Sequence, residues 1–106
     1  MADSVQIVKG KPAFFDLISS EQLVVVEAFA IWCGPCNAIS PKVEAWSHKY
    51  PDVKFAKFDV DEEEDLAQEL GIRAMPSFYF FKGDEKIADY VGADANEIEN
   101  LIREHK

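Results

Sequence analysis

Two cysteines stand three positions apart in Trp32-Cys33-Gly34-Pro35-Cys36, and the chain of 106 residues has no others. A Cys-x-x-Cys pair can close a disulfide, hold a metal, carry a haem or supply half of an iron–sulfur site. A structural zinc is normally closed by four ligands, and beyond the cysteines only His48 and His105 remain, far apart in sequence. Covalent haem attachment needs histidine directly after the second cysteine, and position 37 is Asn37. An iron–sulfur cluster normally takes four cysteines. Thiol chemistry is what remains. The pair falls where an apolar strand pattern gives way to a helical one. At a helix N-terminus the backbone amides and the helix dipole favour a thiolate over a thiol, for Cys33 above all. Cys36 lies about one turn further in, close enough to bridge Cys33, so dithiol and disulfide are both accessible. Pro35 fits a first-turn position, where its missing N–H is no loss, and stiffens the loop.

The elements that must position this pair alternate between short β-branched or aromatic runs and longer helically spaced stretches, a βαβ-type pattern. Val5 to Lys9 reads as a strand. Lys11 and Pro12 open a helix that places Phe14, Phe15, Leu17 and Ile18 on one face. Leu23 to Phe29 is nearly continuously apolar, as a central strand covered on both faces should be, and only Glu27 interrupts it. A helix follows from Cys33–Cys36 to about Lys49, with a kink expected at Pro41. Val53 to Val60 reads as a strand. Asp61-Glu62-Glu63-Glu64 reads as a capping box for a helix that uses Leu66, Ala67 and Leu70 and stops at Gly71. Ser77–Lys82 and Lys86–Val91 flank Gly83-Asp84-Glu85 as a hairpin. A last helix starts near Asp94, buries Ile98, Leu101 and Ile102, and ends in Arg103, His105 and Lys106.

Composition narrows the partners. Lys and Arg number 11 against 20 Asp and Glu, a net charge of −9, with 48% hydrophobic residues. That balance fits a single folded domain over residues 1–106. It also repels phosphate backbones and anionic lipid, which predicts no nucleic-acid and no membrane partner. The longest apolar run is Ala28 to Cys33, whereas a spanning helix needs about 20 residues. Asp3 and Ser4 stand where a signal peptide would be basic and then apolar, so the expected location is the cytoplasm. Two cysteines this close cannot form the multi-bridge framework of small secreted domains.

Taken together, Trp32-Cys33-Gly34-Pro35-Cys36, Pro41, Lys57 with Asp59-Val60-Asp61, Met75-Pro76-Ser77 and Gly92 resemble the thioredoxin family over essentially the whole chain. The resemblance implies an α/β thioredoxin fold, with a mixed five-stranded sheet in order 1-3-2-4-5 and four flanking helices. It implies reduction of protein disulfides, with Cys33 as nucleophile and Cys36 as resolving thiol. No cofactor is implied beyond the Cys33–Cys36 disulfide itself, since NADPH and FAD belong to a thioredoxin reductase partner. The implied substrates include peroxiredoxins, ribonucleotide reductase and methionine sulfoxide reductase, met by a monomer. Proline rather than histidine at position 35 points to a reductant, because thioredoxins poise near about −270 mV and oxidising relatives well above that.

The same resemblance makes Met75-Pro76 a cis-proline turn facing the cysteines. It groups Trp32, Gly34 and Pro35 with Ala74, Met75, Pro76, Gly92 and Ala93 as a substrate-docking surface. Asp61 is expected both to accept the Trp32 indole N–H and to cap its helix. Three positions depart from the family pattern: Glu27 where a buried Asp is usual, Asn37 where a cation is common, and Ile31 where a polar residue is more usual. Alternation puts Glu27 on the face of Leu23, Val25 and Phe29, so its carboxyl should be desolvated and its pKa raised, with Lys57 compensating in part. From there Glu27 could take the proton of Cys36.

Other features have plainer readings. Phe78, Tyr79, Phe80 and Phe81 belong to a core strand. His48 and His105 sit on helix surfaces. Asp59 to Asp65 lacks the glycine and distal glutamate of a calcium loop. The rival function is a thioredoxin-fold binding module whose thiols do nothing.

Overall fold

A computed structural model describes residues 5–106, and the reading of Asp3 and Ser4 lies outside them. The elements are β1 (Val5–Ile7), α1 (Lys11–Ile18), β2 (Val24–Phe29), α2 (Gly34–Lys49), β3 (Lys54–Asp59), α3 (Glu64–Leu70), β4 (Ser77–Lys82), β5 (Glu85–Val91) and α4 (Ala95–His105). The five strands form one sheet in the order β1-β3-β2-β4-β5, the order the resemblance implies. β2 is central, parallel to β3 and antiparallel to β4.

Both faces of the sheet are covered, which is why β2 could afford so few polar residues. On one face Leu23 and Val25 meet Ile39, Val43 and Trp46 of α2 and Ile98 and Ile102 of α4. On the other, Val24, Val26 and Ala28 meet Phe14, Leu17 and Ile18 of α1 and Leu66 of α3. The aromatic run of β4 divides between them, with Phe78 and Phe80 on the first side and Tyr79 and Phe81 on the second.

Local signals explain most boundaries. Gly71 takes a left-handed φ of 69° and ends α3, while the N–H of Ile72 reaches back to the Ala67 carbonyl. Asp94 caps α4, its side chain accepting from the N–H groups of Asn96 and Glu97. The β4–β5 hairpin is tighter than the sequence suggests, because Glu85 joins β5. Gly83 and Asp84 alone make the turn, both at positive φ as a type I′ turn requires. α2 runs unbroken through Pro41.

Two expectations are overturned. Phe15 is 47% exposed, not part of the α1 core face, because only Phe14, Leu17 and Ile18 turn toward the sheet. Asp61 does not cap α3: the helix starts later, with Glu63 at the N-cap position and no side-chain capping bond. Glu63 instead accepts the Gly10 N–H at 2.9 Å, and the Asp61 carboxylate faces Trp32.

The C-terminal end of α2 is tied to the middle of α4 at Glu99. Its carboxylate accepts from Lys49 Nζ and the Tyr50 hydroxyl, each at 2.6 Å, and Arg103 lies at 3.3 Å. These donors, Lys49 first, pull the Glu99 carboxyl down to about 2.

Candidate functional site

β2 delivers its chain to the edge of the sheet at Phe29, and α2 begins only five residues later. The intervening segment is a tight turn, closed by the Cys33 N–H on the Ala30 carbonyl at 3.1 Å. Cys33 is the N-cap residue of α2, in extended conformation, and its Sγ accepts the Cys36 N–H at 3.2 Å. Gly34 and Pro35, both exposed, fill the first turn, where a proline loses no hydrogen bond. Cys33 and Cys36 are joined in a disulfide with their Cα atoms 5.2 Å apart. Each sulfur-bearing residue is almost covered, Cys33 at 6% and Cys36 at 3% exposure. Ala30, Phe29, Val60 and Met75 pack around the pair.

Beneath Cys36 lies a cavity of about 60 Å³ lined by Glu27, Phe29, Cys36, Asn37, Ser40 and Lys57. Glu27 and Lys57 face each other across the β2–β3 ladder. Glu27 is 3% exposed, and burial pushes its carboxyl from the ordinary 4.5 up to about 7, with the Lys57 charge pulling it partway back. The Lys57 ammonium lies 5.4 Å from the centre of the Phe29 ring. A water needs only about 10–15 Å³ of such space, so the cavity that Glu27 and Cys36 both line has room for one. The arrangement can carry a proton between an acid near neutrality and the inner sulfur.

Around the outer sulfur the docking residues inferred from sequence divide. The Trp32 indole N–H donates to Asp61 at 2.7 Å. Met75-Pro76 is a cis peptide, Met75 packs at the disulfide, and Pro76 accepts the Gly92 N–H at 3.0 Å. Gly92 has φ 134°, a backbone conformation that disfavours side chains, and a Cβ there would touch the Tyr90 ring at 3.4 Å, an ordinary contact distance. Ala74 is exposed and its carbonyl accepts from the Ser77 hydroxyl, while Ala93 packs toward the α2 side of the core.

Two cavity residues escaped the sequence reading of the proton site. Ser40 is four positions after Cys36, on the same helical face, and that spacing could have found it. Asn37 was visible only as a departure from pattern. Its side-chain amide donates to the Ile31 carbonyl at 3.3 Å, a contact across the turn that spacing does not announce. Among the described residues no group of three or more His, Cys, Asp or Glu could hold a metal ion, and no helix is long and apolar enough to cross a membrane.

The thioredoxin family model matches residues 5–104. Thioredoxin-1 of Schizosaccharomyces pombe is 44% identical over 99 residues, covering 93% of this chain and 96% of that protein. Thioredoxin-2 of Pyricularia oryzae is 47% identical over 89 residues, or 84% of this chain, which spans about half (52%) of that longer protein. The crystal structure of Malassezia sympodialis thioredoxin superposes with a TM-score of 0.91 at 42% identity, covering 98% of this chain and 92% of that one. A chain that shares this fold and this much sequence, and carries its own bridged cysteine pair, belongs to the thioredoxin family and is a thiol–disulfide oxidoreductase that reduces protein disulfides.

Proposed function

We propose that the chain works as a dithiol electron carrier in which Cys33 attacks and Cys36 resolves. The Cys33 thiolate attacks one sulfur of a substrate disulfide. That S–S bond breaks, a mixed disulfide forms, and the first substrate thiolate leaves. Cys36 gives up its proton through the cavity to Glu27 and attacks Cys33 Sγ. The second substrate thiolate then leaves and the Cys33–Cys36 disulfide closes, so two electrons have passed to the substrate. One observation carries the division of labour. Cys33 sits at the α2 N-cap with its sulfur receiving a backbone N–H, which stabilises a thiolate there, whereas Cys36 is the sulfur beside the buried acid. Trp32, Gly34, Pro35, Ala74, Met75, Pro76, Gly92 and Ala93 receive the substrate as an extended segment, and Asp61 holds Trp32 in place.

Family membership supports the rest of the cycle: re-reduction by an NADPH-dependent thioredoxin reductase in a reducing compartment such as the cytoplasm, with peroxiredoxins, ribonucleotide reductase and methionine sulfoxide reductase as substrates. The test is NADPH consumption with a thioredoxin reductase and insulin. Wild type should sustain turnover, and Cys33→Ser/Cys36→Ser should show none. Insulin reduction that is equal for both proteins would leave a binding module whose thiols are idle.

A further inference from the structure

The two most exposed large apolar side chains among the described residues are adjacent: Ile31 at 72% and Trp32 at 67%. Local geometry puts them there. They are the central residues of the turn closed by Cys33 N–H on the Ala30 carbonyl, so both project away from the backbone that leads into Cys33. The turn is held from outside as well, by Asn37 Nδ2 on the Ile31 carbonyl and by Asp61 on the Trp32 indole. Val91, 60% exposed, ends β5 at the same edge of the sheet, since Ala28 pairs with Ser77 and Ser77 with Val91. Three of the five exposed large apolar residues among the described ones thus gather at the disulfide end of the fold. Such a concentration on an otherwise charged surface marks contact with a partner. The ground beside it is acidic, with Asp61, Glu62, Glu63, Glu64 and Asp65 on the side toward which Trp32 is tied. An acidic occupant would be repelled there.

We infer that Ile31 is a specificity-determining residue, seating an apolar side chain that flanks the disulfide in a neutral or basic substrate segment, and that Asn37 is a positioning residue that holds Ile31 in place. The inference rests on the proposed reading of the site as a disulfide reductase. Trp32, pinned by its hydrogen bond, forms one wall beside Cys33, and Ile31 extends that wall in the direction from which the turn rises. Covering about half of an isoleucine side chain is enough for a tenfold preference.

The test uses the full chain, with dithiothreitol as reductant, on three peptides closed by a single disulfide and differing only in the residue after one cysteine: Leu, Ser or Glu. Wild type should reduce the Leu peptide with about tenfold higher kcat/KM than the Ser peptide, the difference lying in KM, and the Glu peptide more slowly than either. Added salt should lift the Glu peptide toward the Ser peptide. Ile31→Ser should bring the Leu/Ser ratio close to one, and Asn37→Ala should lower the ratio about threefold through a raised KM for the Leu peptide. A wild-type ratio near one, or a ratio that survives Ile31→Ser, overturns the inference. A wild-type chain that reduces none of the peptides faster than Cys33→Ser/Cys36→Ser overturns the reductase reading beneath it.

Discussion

Replacing Glu27 by Leu should make the protein more stable at neutral pH and leave it little changed in acid. The reason lies in where the carboxyl ionises. Below pH 4.5 both folded and unfolded chains keep it protonated, and the buried neutral acid carries no charge to desolvate. Between 4.5 and about 7 the unfolded chain releases a proton that the folded chain retains, so stability falls as pH rises. Above about 7 both states are ionised and the loss is complete. The interval is about 2.5 pH units. At about 1.36 kcal/mol per unit it corresponds to roughly 3 kcal/mol, a large share of a small domain's stability. Leucine packing displaces the variant's curve by a nearly constant amount, and the attraction of Lys57, which acts only on the ionised carboxylate, is already contained in the Glu27 pKa. The pH dependence of the difference between variant and wild type therefore isolates the Glu27 proton. Guanidinium unfolding of the two oxidised proteins, followed by circular dichroism from pH 4 to pH 8.5, should show the difference growing by roughly 3 kcal/mol in favour of Glu27→Leu. The same variant should release substrate from the mixed disulfide more slowly, most markedly at low pH, where few Cys36 thiols ionise unaided. A stability difference that stays flat with pH would show that Glu27 titrates as an ordinary solvated acid, and the proton route through the cavity would fall with it.

The order of attack has a direct readout: Cys36→Ser should accumulate a stable mixed disulfide with substrate while Cys33→Ser captures almost none, and iodoacetamide should label Cys33 of the reduced protein far faster than Cys36 near neutral pH. Trapping by the Cys33→Ser chain, or equal labelling, would reverse the assignment. Gly92→Ala puts a side chain on a residue held at φ 134° and should cost about 1–2 kcal/mol in urea titrations, with a raised KM for insulin; an unchanged midpoint would mean that the 91–93 segment adapts freely. Glu99 has the opposite sign to Glu27. Its lowered pKa adds stability that is present above about 4.5 and lost as pH falls through about 2, so Glu99→Gln should lower the urea midpoint at pH 7 and converge on wild type near pH 2. Equal deficits at both pH values would assign the effect to packing alone.

Glu27 and Glu99 show how one residue type is tuned in two directions by its place in the fold. Glu99 sits at the α2–α4 surface with Lys49, Tyr50 and Arg103 gathered on it, and the donors outweigh the partial burial. Glu27 sits in the central strand with a single cation across the ladder, and burial outweighs that cation. The Glu27 side chain keeps its carboxyl in the cavity it shares with Cys36, Phe29, Ser40 and Lys57, and only 3% of the residue is exposed.

What could be read from the sequence follows from which interactions are local. The central strand was legible, because a run such as Leu23 to Val26 has no stable place except between two covered faces, whereas the sheet order came only with the resemblance to the thioredoxin family. The burial of Glu27 followed from strand alternation alone, and the Asp94 cap from a residue and its next turn. Phe15 misled because its neighbours on α1 share helical spacing, while the sheet accepts only the arc that Phe14, Leu17 and Ile18 span. Asp61 misled because two partners competed for one carboxylate. Its backbone N–H is held by Asp59 at 2.8 Å, which delays the start of α3, and the indole of Trp32, 29 residues away, takes the side chain. No spacing rule could settle that competition, since it depends on the β2–α2 turn arriving beside the end of β3. The same holds for Asn37. Its role in supporting Ile31 depends on α2 folding back over the turn that precedes it, so the position read in sequence as a missing cation carries in the structure a hydrogen bond on the rim of the site.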